Sequence, residues 1–214
     1  MNYNTFYQKL KGYPLFSTDD LKMILGTEFT SSTIINLQNW QKKNQVIQLR
    51  RGLYFLPSFD KAKIKPDMLA ARLYEPSYVS LEYALSYYGI IPEAVFTITS
   101  VSTRKTAHFL VEGIGNYSYQ KIKKEAFGGY GTYLENGVSY NLAEPEKALL
   151  DFFYLNRHLM DGSRANFDSY RFNETFRYNK TRMKELVVYF KDKKTTYLSN
   201  KFIEFYPTKK KEGK

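Results

Sequence analysis

The chain contains no cysteine, only two histidines and a single tryptophan in 214 residues. Without cysteine there is no disulfide frame, no thiolate zinc site, no cysteine nucleophile and no iron–sulfur cluster. His108 and His158 are too few for a histidine-rich metal site. Long apolar runs are missing as well. Stretches such as Val187 to Phe190 fall far short of the ~18 residues that a membrane span needs. The first residues, Met1-Asn2-Tyr3-Asn4-Thr5-Phe6-Tyr7, lack the charged and apolar regions of a signal peptide. The expected location is therefore cytoplasmic, with no membrane partner.

What is present is aromatic and basic. Hydrophobic residues make up 43 % of the chain, with 20 Tyr and 16 Phe, enough to build a core. The length suits one large or two small domains, at roughly 100–200 residues each. Lys and Arg number 32 against 21 Asp and Glu, a formal charge of +11. That excess sits at the two ends: residues 1–58 carry net +4, residues 59–162 net −1, and residues 163–214 net +8. A basic patch concentrates polyanions, which fits nucleic acid but also acidic protein, anionic lipid or a merely solvated surface.

No internal repeat interrupts the chain. The stretch Pro57-Ser58-Phe59-Asp60-Lys61-Ala62-Lys63-Ile64-Lys65-Pro66 has two prolines and little periodicity, so residues 59–66 are expected to link two domains, 1–58 and 67–206. Residues 207–214, with Lys209-Lys210-Lys211, read as a disordered basic tail.

The first 58 residues have a readable order. A short helix over 3–11 places Phe6, Tyr7 and Leu10 on one side. A second begins at Ser17, where Asp20 three positions on completes a capping box. Leu21, Ile24 and Leu25 recur at helical spacing, and Gly26 stops the helix. A third runs from Ser31 or Ser32 to about Asn44, with Ile34, Leu37 and Trp40 inward. Ser32, Ile35, Asn36, Asn39 and Lys43 form its opposite face, and Asn44 suits a left-handed helix end. Strands over 46–49 and 53–56 flank Arg50-Arg51-Gly52, a tight hairpin with a basic tip. This is the plan of a winged helix-turn-helix. Ser32, Asn36 and Asn39 are candidate major-groove readers, Lys42, Lys43, Arg50 and Arg51 candidate phosphate or minor-groove contacts, and Ser31 a further candidate DNA-binding residue. The same fold also serves as a protein-docking module with solvent-exposed wing arginines.

The second segment reads as α+β. Ser80 caps a helix with Leu81, Ala84, Leu85 and Tyr88 inward, ended by Gly89. Strands are expected over 94–101, 108–111, 117–122, 131–134 and 138–142, the last two joined through Asn136-Gly137. Glu144-Pro145-Glu146 opens a helix, and aromatic-rich, basic helices close the chain. The expectation is a small antiparallel sheet flanked by helices. Arg104, Lys105, Lys180, Arg182, Lys184, Lys191, Lys193 and Lys194 are expected to point outward as a candidate partner surface.

No catalytic constellation emerges. Glu144 and Glu146, two apart on a helix, do not face each other. Asp192-Lys193-Lys194 lies in a basic run, not on a strand beside a second acid as a nuclease site demands. Gly128-Gly129-Tyr130-Gly131 lacks the Lys-Ser/Thr of a phosphate loop. The chain is not expected to be an enzyme or to need a cofactor. The alternatives left open are a nuclease targeted by the winged domain and a docking module that uses the basic C-terminal helices.

Four stretches, in order, resemble the AbiEi family of antitoxins and transcriptional regulators. They are the helix-turn-helix with Gln48-Leu49-Arg50-Arg51-Gly52-Leu53-Tyr54, residues 78–93 (Tyr78 to Glu93), Thr97 to Lys105, and Leu142-Ala143-Glu144-Pro145-Glu146-Lys147-Ala148-Leu149-Leu150-Asp151. Together they span most of residues 15–155. The resemblance implies the antitoxin of a type IV toxin–antitoxin, or abortive-infection, pair. Its winged domain would bind inverted repeats in its own operator DNA and repress transcription. Its second domain would counter an AbiEii-like nucleotidyltransferase toxin.

Overall fold

The computed structural model describes residues 1–57, 65–111, 114–135 and 138–206. Most of the expected linker and the whole expected tail lie outside the described residues. The chain divides into two compact units: Met1–Leu73 with Tyr133–Tyr140, and Tyr74–Thr132 with Asn141–Lys214. The division thus falls after Leu73, and the helix α4 (Pro66–Leu73) belongs to the first unit.

In the first unit the order is α1 (Tyr3–Leu10), β1 (Leu15–Ser17), α2 (Thr18–Leu25), α3 (Ser31–Lys42), β2 (Ile47–Arg50) and β3 (Leu53–Phe55), followed by α4. Local chemistry sets the helix ends. The Ser17 hydroxyl accepts from the Asp20 amide at 3.0 Å, and the Asp20 carboxylate accepts from the Ser17 amide at 2.6 Å, as a capping box requires. Thr33 returns its hydroxyl to the Thr30 amide at the start of α3. Asn44, with φ 54°, ends α3 in the left-handed conformation expected of it.

The strand β1 has no forerunner in the sequence pattern, because three residues after a proline show no alternation. It pairs antiparallel with β3, matching Leu15 to Phe55 and Ser17 to Leu53. β3 is therefore the central strand of a three-stranded antiparallel sheet, β1-β3-β2. Phe6, Leu10, Phe16, Leu21, Leu25, Leu37, Trp40, Val46, Tyr54 and Leu56 form one core beneath it. The Phe6 and Trp40 rings meet at 4.5 Å. Burying these side chains contributes about 1.5–3 kcal/mol each and fixes α3 against the sheet.

A six-stranded sheet is ordered β6 (Ala107–Val111), β7 (Gly115–Lys121), β5 (Thr97–Ser102), β4 (Ser77–Val79), β9 (Val138–Ala143), β8 (Tyr130–Glu135), and all of it belongs to the second unit except the stretch 133–140 of β8 and β9. This corrects the expectation of a small antiparallel sheet. β5 pairs parallel with β7 from Thr97–Asn116 to Ser102–Lys121, and β4 pairs parallel with β9. The hairpin signals read only sequential neighbours. The β6–β7 hairpin instead places its second strand beside β5 and its first at the sheet edge, which makes the sheet mixed. The helices α5 (Leu81–Tyr87), α6 (Pro145–Asn156), α7 (Arg164–Ser169), α8 (Lys180–Val187) and α9 (Lys193–Phe205) complete the unit. Met183, Leu186, Val187, Phe190, Leu198 and Phe202 are buried, as their spacing anticipates. No helix among the described residues is long and apolar enough to cross a membrane.

Candidate nucleic-acid interface

The outward face of α3 follows from its inward one. Thr33, Leu37 and Trp40 are buried and recur at helical spacing, so the opposite face must carry Ser31, Ser32, Ile35, Gln38, Asn39 and Lys42, all of which are exposed. Lys43 caps the end of the helix and is exposed too. Asn36 departs from its expected place. It lies three residues after Thr33 and four before Trp40, on the flank of the buried stripe. Its side chain is half-buried, and its Nδ2 donates to the Met1 carbonyl at 3.3 Å. Gln38, which did not stand out in the sequence, takes a position on the exposed face.

The β2–β3 connection is tight. Arg51 and Gly52 lie between the strands, Gly52 has φ 79°, and the register shifts between Gln48 and Arg50. The Gly52 carbonyl accepts from the Thr18 amide at 3.2 Å, which fixes the turn to the start of α2. Arg51 is exposed at the turn. Arg50 is also exposed, but its guanidinium folds back to donate to the Arg72 carbonyl at 3.3 Å.

The charge around these elements is one-sided. Among residues 1–57, Asp19 pairs with Lys22, Glu28 with Lys9, and Asp20 with Arg72 of α4. The acids of this stretch are thus matched by cations of α1, α2 and α4. Lys42, Lys43, Arg50 and Arg51 form no ion pair among the described residues.

The cations expected to form a partner surface on the second unit are in differing situations. Lys105, Lys180, Lys184, Lys191 and Lys193 are exposed. Arg104 lies over the Tyr74 ring at 4.4 Å and donates to the Glu75 carbonyl. Lys194 is half-buried, reaching the Asp161 carbonyl and the Tyr197 ring. Arg182 is engaged within the fold. It holds Glu144 bidentately at 2.7 and 2.8 Å and also pairs with Glu185.

That bidentate pair holds the Glu144 carboxyl below the ordinary glutamate range, chiefly through the Arg182 hydrogen bonds. A depressed folded-state value gives stability that is full above the unfolded value and is lost as pH falls through the folded one. An acid titration of wild type is therefore expected to lose a small increment below about pH 4.5 that Glu144→Gln does not lose. Both side chains are partly in water, so the increment is below about 1 kcal/mol. Chemical denaturation at pH 7 and pH 3.5 measures it, and equal losses in the two proteins would contradict the assignment.

Other candidate chemistry is absorbed by the fold. Glu146 accepts from the Asn179 amide at 2.6 Å. Asp192 caps α9, accepting from the Thr195 amide at 2.8 Å, and pairs with Arg157. His108 and His158 are both exposed. Gly129 has φ 71°, and a Cβ there would meet Leu186 Cδ2 at 2.9 Å, so the glycine permits close packing in that loop. Among the described residues, no three His, Asp or Glu side chains gather as a metal ion would need.

The densest polar cluster has no local signature in the sequence. Lys147 and Asp151, one helical turn apart on α6, are 2 % and 0 % exposed and pair directly. Tyr78 and Ser80 donate to Asp151 at 3.0 and 2.8 Å, and Lys147 donates to the Tyr78 hydroxyl at 2.6 Å. The Lys147 ammonium also lies 4.7 Å from the centre of the Phe190 ring. Burial pushes Asp151 up and Lys147 down, each toward its neutral form, while their mutual attraction opposes both shifts. The four side chains are sealed from solvent and tie β4 and the start of α5 to α6. The i, i+4 spacing was visible, but on a helix with an exposed face it reads equally well as a surface pair.

Compared with known families and curated proteins, the chain matches no family model and no curated sequence.

Proposed function

We propose that this chain is a DNA-binding transcriptional repressor and the antitoxin of a type IV toxin–antitoxin pair. The observation that carries the DNA reading is the exposed face of α3. It is polar apart from Ile35, closes on Lys42 and Lys43, and leads within a few residues into a turn bearing Arg50 and Arg51. The order helix–strand–helix–helix–strand–strand, with β3 central in its sheet, supports a winged helix-turn-helix. In that arrangement α3 enters the major groove, and the turn and the lysines take phosphates. Such a protein acts in the cytoplasm on inverted repeats near its own gene.

The antitoxin part of the proposal rests on the AbiEi resemblance of residues 15–155. The second unit would then counter a nucleotidyltransferase of the AbiEii kind. Co-expression with the product of the adjacent reading frame tests this part. If that product is a nucleotidyltransferase that arrests growth, this chain is expected to restore growth. Continued arrest would remove the antitoxin role and leave the DNA reading standing.

A further inference from the structure

Ile35 sits in the middle of the exposed α3 face, 58 % exposed, with Ser31 and Ser32 one turn before it and Gln38 and Asn39 one turn after it. A lone exposed aliphatic side chain is ordinary on a protein surface. Its neighbours make this one informative. The face carries two carboxamides and two hydroxyls, and α3 contains no arginine along its length. Its lysine, Lys42, falls in the last turn, one turn beyond Gln38 and Asn39.

Each side chain has a matching base edge. Asn and Gln amides pair bidentately with adenine N6 and N7. Arginine is the commonest partner of guanine O6 and N7, and α3 has none to offer. The thymine C5 methyl is the apolar feature of the major groove, and an exposed Ile side chain complements it. Resting on the DNA-binding reading above, we infer that α3 selects duplexes with A·T pairs at the centre of each half-site. Gln38 and Asn39 supply the adenine contacts, and Ile35 packs on a thymine methyl. Asn36 takes no part, because its amide is held by the Met1 carbonyl. Lys42 and Lys43 fall beyond the reading turns and take phosphates.

The test is an in vitro selection from a randomised duplex library with the full chain, followed by base substitution in the enriched duplex. The expected motif has an A·T core. Replacing one core thymine by deoxyuridine removes only the methyl, and is expected to weaken wild-type binding about fourfold, the worth of one buried methyl group. Ile35→Ser is expected to bind thymine and deoxyuridine duplexes equally, and Gln38→Ala to relax the choice of one adenine. Both positions are exposed, and unchanged Trp40 emission verifies that the first unit stays folded. An enriched motif with a G·C core, or full insensitivity of wild type to deoxyuridine, overturns this inference and leaves sequence-specific DNA binding intact. Enrichment of no motif overturns both.

Discussion

Replacing Asp151 by alanine is expected to destabilise the second unit by about 3–5 kcal/mol, the cost of leaving a buried charge without its partner. The effect is large because three donors converge on this one carboxylate. Tyr78 and Ser80 lose their acceptor, Lys147 loses its counter-charge and keeps only the Tyr78 hydroxyl, and all three are buried. Asp151→Asn keeps the shape and one acceptor oxygen but removes the charge, so it is expected to fall between wild type and alanine. The paired change Lys147→Met with Asp151→Leu removes both charges together. It is expected to recover much of the loss, since a well-packed apolar pair is often as stable as a buried ion pair. Urea denaturation followed by far-UV circular dichroism measures all four proteins. A loss under about 1 kcal/mol for Asp151→Ala would show that the cluster is not the tie described here.

The second large effect is expected at the β2–β3 turn. Replacing Arg50 and Arg51 together by alanine should lower the salt slope of DNA binding by about two units, each lost phosphate contact accounting for ~0.9. Near 0.1 M salt this amounts to a roughly fifty-fold weaker complex. The two arginines are not equivalent. Arg50 already donates to the Arg72 carbonyl and must give up that bond to reach a phosphate, whereas Arg51 stands exposed at the turn. Arg51→Ala alone is therefore expected to cost more than Arg50→Ala alone. Neither change touches the core, so stability is expected to stay within about 0.5 kcal/mol. Trp40, buried in the first unit, reports that directly by its emission. Unchanged affinity and slope in the double variant would remove the turn from the interface.

The parts of this fold that were legible are those with local causes. Ser17 and Asp20 form their capping box because a hydroxyl and a carboxylate three residues apart meet the free amides of a helix start. Asn44 is left-handed because its short polar side chain tolerates that conformation. The buried stripe of α3 needed only helical periodicity. The illegible parts depend on partners distant in the chain. β1 and β4 are three residues each, too short to alternate, and exist because neighbouring strands offer them hydrogen bonds. The parallel pairing of β5 with β7 depends on where a hairpin docks, which its turn does not encode. Asn36 stands on the flank of the buried stripe, and its amide reaches the Met1 carbonyl, a partner thirty-five residues away that helical spacing does not encode. Lys147 and Asp151 carry no local sign of burial, because Tyr78 and Ser80, which complete the cluster, come from about seventy residues away.

On the proposed function, the first unit binds duplex DNA through α3 and the adjoining turn. The most direct measurement is fluorescence anisotropy of the full chain on a labelled duplex from the region upstream of its own reading frame, set against a scrambled duplex of the same composition. The titration is repeated between 50 and 200 mM salt. With Lys42, Lys43, Arg50 and Arg51 on phosphates, the plot of log affinity against log salt is predicted to have a slope near −4, about a hundredfold loss across that range. The upstream duplex is predicted to bind at least about a thousandfold more tightly than the scrambled one. Equal affinity for the two duplexes, or binding indifferent to salt, would contradict the claim.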